Sequence, residues 1–214
     1  IINTGVANFL TIPTDARTVG MAGAGVSLSG NDNAIFANAS TSLLDKERKG
    51  GVTYTFAPWM RDYESGYSLN TIGGYYKLNQ RSAILGGFRY FNYPSFKAIE
   101  EGVINRTIRP KEFAIDLGYA YEIFENFALS ATVRYIYSDM GNLGGAKAAS
   151  AVAGDIGASY KGNINLLQGI IWTAGLQVSN FGSKIKYLKT KEDLPMLANL
   201  GGSITMPFSD KHKL

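Results

Sequence analysis

Three charges stand inside runs that are otherwise apolar or small: Asp116, Arg134 and Asp155. Two carboxylates can form a general acid and base, but the acid must keep its proton. An arginine between them would hold both ionised, so an ion-pair row is the better fit. The only histidine, His212, falls in the terminal "SDKHKL" turn, and cysteine is absent. A Ser–His–Asp set, thiol catalysis, a disulfide framework and Cys-ligated metals are thereby excluded, and a solvated turn histidine makes no zinc site. The stretch "GMAGAGVSLSG" matches neither GxxxxGK[ST] nor GxGxxG, and no βαβ unit follows it. Its glycines suit a tight path through a crowded space. We assign no catalytic residue, no metal and no cofactor, and the chain reads as a non-enzyme.

The elements that must position the three charges are alternating runs. Phe113, Ile115, Leu117, Tyr119 and Tyr121 fall on one side, with Ala114, Asp116, Gly118 and Ala120 on the other. Phe127, Leu129, Ala131, Val133, Tyr135 and Tyr137 likewise oppose Ala128, Ser130, Thr132 and Arg134. Val152, Gly154, Ile156, Ala158 and Tyr160 oppose a set that contains Asp155. Period-two alternation marks strands with one apolar face. It recurs over 52–56, 84–90 (blurred by Leu85 and Phe91), 170–178 and 198–208. A weaker set is Tyr67, Leu69, Thr71, Gly73 and Tyr75. The count is about eight strands, each long enough to cross a membrane at a tilt.

In lipid, a charge on the outer face costs several kcal/mol at mid-membrane, so the face with Asp116 and Arg134 looks into a lumen. Counting from the turn near residue 124 sets Asp116 opposite about residue 132. Counting from the loop near 144 sets Arg134 opposite about Asp155, giving one lumenal row on three adjacent strands. Such a row either holds the wall together or meets a substrate.

Composition agrees with a barrel. Charged residues are only 18%, Pro numbers 6 against 25 Gly, and Tyr at 13 and Phe at 11 favour strands. The net charge of +4 is not concentrated into a nucleic-acid track. The charge-free run 162–183 carries Asn163, Asn165, Gln168, Gln177 and Asn180 and alternates, so helical membrane spans are out. Short turns at "LNQRS", "IFEN", "KGNINL" and "SDKHK" alternate with long polar loops at 61–66, 93–111, 139–149 and 180–196. One short end and one long end is the asymmetry of bacterial outer-membrane barrels. Tyr75, Tyr76, Tyr90, Tyr93, Tyr121, Tyr135, Tyr137 and Tyr160 suit interfacial girdles.

The fold class expected is therefore all-β, a transmembrane antiparallel β-barrel with an N-terminal plug or hatch over 1–48 and wall over 49–214. The lumen-facing Ala, Gly, Ser and Thr would underfill an eight-stranded barrel, so the expectation is the first part of a wider one. The opening "IINTGVANFL" has no signal-peptide character, so the sequence reads as starting at a mature or trimmed end.

The stretch "FLTIPTDARTVGMAGAGVSLSGNDNAIFAN" resembles the N-terminal segment of the PorV/PorQ family of FadL-like outer-membrane barrels. The resemblance continues through "YTFAPWMRD", "GGYYKLNQRSAILGGFRYF", "PKEFAIDLGYAY", "ENFALSATVRYIYSDM" and "VSNFGSKIKY", and PorV is the closer of the two. It implies a barrel of about fourteen strands with the N-terminal segment lining or plugging the lumen. Phe9, Asp15, Arg17, Ile35, Phe36 and Asn38 would belong to that plug or hatch. One departure stands out: where FadL-like transporters carry Asn-Pro-Ala, this chain has Asn38, Ala39 and Ser40, without the rigid turn of a proline.

The resemblance further implies the type IX protein secretion system. The chain would bind secreted cargo by its C-terminal domains, or serve as a structural subunit beside other outer-membrane translocon and attachment proteins. Contacts would come from Tyr93, Phe96, Ile99, Ile104, Ile185, Tyr187 and Leu188 in the long loops, which could equally pack on one another over the mouth. The alternative is FadL-like passive uptake of hydrophobic small molecules, with Phe9, Leu10, Ile12, Ile35 and Phe36 lining a pocket instead of filling the lumen. Membrane lipid is a partner under either reading; nucleic acid is not.

Overall fold

In a computed structural model the described residues are 6–21, 23–59, 66–100, 103–141, 148–164, 169–187, 190–209 and 212–213. The strands in chain order are β1 (Gly50–Pro58), β2 (Ser68–Lys77), β3 (Ser82–Asn92), β4 (Phe96–Glu100), β5 (Val103–Ile108), β6 (Lys111–Phe124) and β7 (Phe127–Asp139). They continue as β8 (Ala149–Asn163), β9 (Ile171–Gly182), β10 (Ile185–Tyr187), β11 (Thr190–Glu192), β12 (Leu197–Thr205), β13 (Pro207–Ser209) and β14 (His212–Lys213). Eight of them form one antiparallel sheet in the order β1-β2-β3-β6-β7-β8-β9-β12, curled into a half-barrel with β1 and β12 at its edges. The pairs β4–β5 and β10–β11 are hairpins within the long loops.

Alternation sets the two faces of this wall. Val52, Phe56, Leu117, Val133, Ile156 and Leu176 stand exposed on the convex side, while Ala83, Ala114, Ala120, Ala128 and Ala153 are buried on the concave side. No helix among the described residues is long and apolar enough to cross a membrane, which leaves strands as the crossing elements.

Three details differ from the sequence reading. In β2 the set Leu69, Thr71 and Tyr75 points inward, and Ile72 and Tyr76 face out. The reason is packing: Leu69 joins a cluster with Phe9 and Phe91, and Tyr75 one with Ile35 and Leu43. Of the tyrosines expected in girdles, Tyr75 and Tyr93 therefore lie inside, whereas Tyr76, Tyr121, Tyr135 and Tyr160 are exposed on the outer face. The final wall strand stops at Thr205, and Pro207, which has no N–H to give a ladder, opens a separate pairing of Pro207–Ser209 with His212–Lys213.

The N-terminal segment lies on the concave face. Its elements are a 3₁₀ turn at Asn8–Thr11, helix α1 (Ala16–Gly20), helix α2 (Ala34–Ala37) and a second 3₁₀ turn at Ala39–Leu43. Asp15 caps α1, accepting the Thr18 N–H at 2.8 Å. The small wall residues that would leave a barrel underfilled are what make room here. A Cβ built on Gly73 or on Gly87 would come within 2.7 Å of the Phe36 ring, and one on Gly118 within 2.8 Å of Ile35. Three glycines on β2, β3 and β6 form a dimple that only a side-chain-free backbone can offer to Ile35 and Phe36.

Candidate functional site

The charges of the wall meet in one chain of ion pairs. Asp116 on β6 pairs directly across from Arg134 on β7, and Arg134 lies across from Ala153, with Asp155 facing Thr132. This corrects the count from the turns, which had set Asp116 opposite residue 132 and Arg134 opposite Asp155. A bulge lies between Glu122 and Phe124, and the ladder centres on Glu125, beside the left-handed Asn126 (φ 64°) and one residue past the point counted from. The guanidinium is long enough to span the diagonal, and Arg134 Nη2 reaches Asp155 Oδ2 at 2.8 Å.

Sequence reasoning missed the two ends of this chain. Arg89 on β3 donates from Nη2 to Asp116 Oδ1 at 3.3 Å and from Nη1 to the Leu10 carbonyl at 3.1 Å. The Phe36 ring lies 5.0 Å from the same guanidinium. Its alternation signal was masked by Leu85 and Phe91 on the same face. At the other end, a bulge in the β8–β9 pairing between Gly154 and Ile156 puts Asn180 in the left-handed region (φ 60°). There its N–H donates to Asp155 Oδ1 at 2.8 Å, its Oδ1 accepts from Arg134 Nη1, and its Nδ2 donates to the Pro195 carbonyl at 3.0 Å.

Arg89, Asp116, Arg134 and Asp155 are at most 3% exposed, and the two positive and two negative charges balance. Buried pairs are costly to desolvate and very costly to break singly, so their contribution is to fix one arrangement of four strands. Both carboxylates are bonded to guanidinium groups, Asp116 to Arg89 and Arg134, and Asp155 to Arg134.

The plug is fastened to the wall at several heights. Asn38 is fully buried; its Nδ2 donates to Val26 O at 2.9 Å and Ala158 O at 3.0 Å, while its Oδ1 accepts from Ser40 Oγ at 2.7 Å. Asn38 also stands at the start of the Ala39–Leu43 turn, where its side chain accepts the Ser40 N–H, so the amide fixes a turn that has no proline ring to fix it. Thr71 Oγ1 donates to Thr14 O at 3.4 Å and Ser203 Oγ to Ser27 O at 3.2 Å. At the short-turn end, Lys161 donates to Leu44 O at 3.0 Å, Lys77 to Asp45 O, and Lys46 meets Glu122 at 2.6 Å. Arg48 reaches Asp32 at 2.9 Å, and that hydrogen bond raises its guanidinium above the ordinary arginine value.

The other expected plug residues divide into two groups. Phe9 and Leu10 are buried in the cluster beneath the long-loop end, with Ile12 packed against it, and Ile35 is buried lower down with Phe36 beside it. Arg17 is exposed. A cavity of about 420 Å³ lies between plug and wall, touching Leu10, Thr14, Phe36, Arg89 and Gln177.

The expected partner contacts fare unequally. Ile185 is buried against the Phe9 cluster, and Tyr93 folds inward, donating to Glu112 Oε2 at 2.5 Å and packing edge-on to Phe91. Phe96 opens β4 and is half-buried. Ile99, Ile104 and Tyr187 lie on hairpin strands whose side chains are outside the described set, and Leu188 lies outside the described residues.

A curled antiparallel half-barrel, apolar outside, with a folded N-terminal segment held on its concave face by buried hydrogen bonds, has the build of a membrane β-barrel wall. Among known families, the model of the type IX secretion system protein PorV matches residues 1–214, the whole chain. The chain belongs to that family, which is one of outer-membrane proteins of type IX secretion. No curated protein matches it.

Proposed function

We propose that, within type IX secretion, this barrel holds secreted proteins at its long-loop end and conducts nothing through its lumen. The observation that carries this reading is the fastening of the plug. Contacts at Leu10, Thr14, Ser27, Asn38 and Leu44 bind it to β3, β2, β12, β8 and the base of β8, so displacing it means breaking buried bonds at every level. A solute path of that kind has a high cost. The long loops, by contrast, project two hairpins beyond the wall. Lys97 and Arg106 in one loop, with Lys184, Lys186, Lys189 and Lys191 in the other, outnumber Glu100, Glu101, Glu192 and Asp193 and favour an anionic face on the partner.

The test is to purify the full-length protein from native outer membrane in mild detergent, with and without the β4–β5 hairpin, and identify what co-purifies by mass spectrometry. Secreted proteins sharing a C-terminal β-sandwich domain, lost with the hairpin, are the expected result. Fatty acyl ligands at stoichiometric level with no protein partner would overturn it in favour of uptake through the 420 Å³ cavity.

A further inference from the structure

A second feature of the long-loop end faces outward, on the lipid side of the wall. Between the tops of β3 and β6 is a cavity of about 530 Å³, lined among others by Tyr90, Asn92, Ser95, Arg109 and Lys111. Asn92 and Lys111 pair across the two strands, and both are exposed. Below them on the same outer face lie Phe113, across from Tyr90, and Phe88 one step further, with the two phenyl centroids 6.1 Å apart, and Phe113 stacks on Tyr137 at 5.0 Å. The cavity therefore sits where the apolar belt ends and two cations begin.

Those cations have no carboxylate of their own. Among the described residues, the side chains of Arg109 and Lys111 make no hydrogen bond or ion pair, although the Lys111 backbone pairs in the β6 ladder. Asp139 faces Lys111 across the β6–β7 ladder, but its Oδ1 accepts the Gly141 N–H at 2.8 Å. The larger basic cavity at the short-turn end is different. Its Lys46, Arg48 and Lys77 are already held by Glu122, Asp32 and the Asp45 carbonyl. Unpaired cations beside hydroxyl and amide donors, at the upper margin of a lipid-facing aromatic belt, have the chemistry of a site for an anionic group on a membrane lipid.

We propose that Arg109 and Lys111, with Tyr90, Asn92 and Ser95, bind the phosphate head group of an anionic lipid of the outer leaflet, whose acyl chains lie on Phe88 and Phe113. The test titrates the full-length protein in zwitterionic detergent with diphosphorylated lipid A and reads binding by native mass spectrometry. The Arg109→Gln/Lys111→Gln variant is expected to bind about 25-fold more weakly, about fivefold for each charge removed. Lys49→Gln/Arg81→Gln at the opposite end should bind as the parent does. The charge-keeping Arg109→Lys/Lys111→Arg variant should retain affinity, and heat-modifiable gel mobility checks that each variant is folded. Binding unchanged in the double glutamine variant overturns the proposal, as does equal binding of dephosphorylated lipid A. Displacement by millimolar inorganic phosphate overturns the lipid as source and reassigns the site to free phosphate.

Discussion

The middle of the wall and its short-turn end use the same side chains to opposite effect. At mid-wall, Arg134 touches Asp116 and Asp155, and every partner is shielded from solvent. At the short-turn end, Lys46–Glu122 and Arg48–Asp32 are as close, but Lys46 and Arg48 keep 44% and 43% of their side-chain surface in solvent. Geometry is thus equal and environment is not. Exposed pairs are screened and contribute little, whereas a buried charge left alone has nowhere to find water.

The contrast is broken or sharpened by four substitutions in the full-length protein. Arg134→Met should cost the most, about 3–5 kcal/mol, because it leaves the buried Asp155 without a counter-ion and Asp116 with Arg89 alone; urea unfolding in detergent measures it. Adding Asp155→Asn, which leaves Arg89 and Asp116 as a balanced pair, should restore much of that loss, and a cost for Arg134→Met as small as that for Arg48 would erase the distinction. Asn38→Ala should follow at about 2–3 kcal/mol, since it leaves the Val26 and Ala158 carbonyls unpaired. Limited proteolysis should then cut within the N-terminal segment while the wall stays protected. Gly87→Ala should cost about 1–2 kcal/mol by driving a methyl into the Phe36 ring. Combining it with Phe36→Ala should return part of that cost, which a purely backbone effect of the alanine would not do. Arg48→Ala comes last, at less than about 1 kcal/mol and smaller still in high salt. A larger value, insensitive to salt, would mean the short-turn end is as shielded as the mid-wall.

The eight wall strands were legible because period two over nine or more residues admits few other structures. So was the inward aim of Asp116, Arg134 and Asp155, since strand parity alone decides it. Their pairing was not. The ladder centres on Glu125, beside the left-handed Asn126 and one residue past the point counted from, which moves every partner by two, and a turn's backbone conformation is not written in hydrophobicity. Arg89 was hidden for a different reason: Leu85 and Phe91 share its face, because that face packs against Phe9 and Ile35 in place of water. The same cause reversed the reading of Leu69 and Tyr75 in β2. Where a plug covers the concave face, polar and apolar residues share it, and alternation loses its contrast. The glycine dimple escaped notice for want of a partner, since Gly73, Gly87 and Gly118 acquire meaning only once Ile35 and Phe36 are set against them.

The fastening of the plug also dictates an order of assembly. Asn38 bonds to a carbonyl 120 positions later in the chain, and Ser27 accepts a hydroxyl from a residue 176 positions away. The part of the polypeptide that is synthesised first is therefore among the last to find its partners, and contacts of such long sequence range form slowly. Until β8 and β12 arrive, Asn38 has no Ala158 carbonyl to donate to and Ser27 no Ser203 hydroxyl to accept. The N-terminal segment thus serves as a mandrel around which the later strands are wound, and a barrel that closed without it would have to open again to admit it.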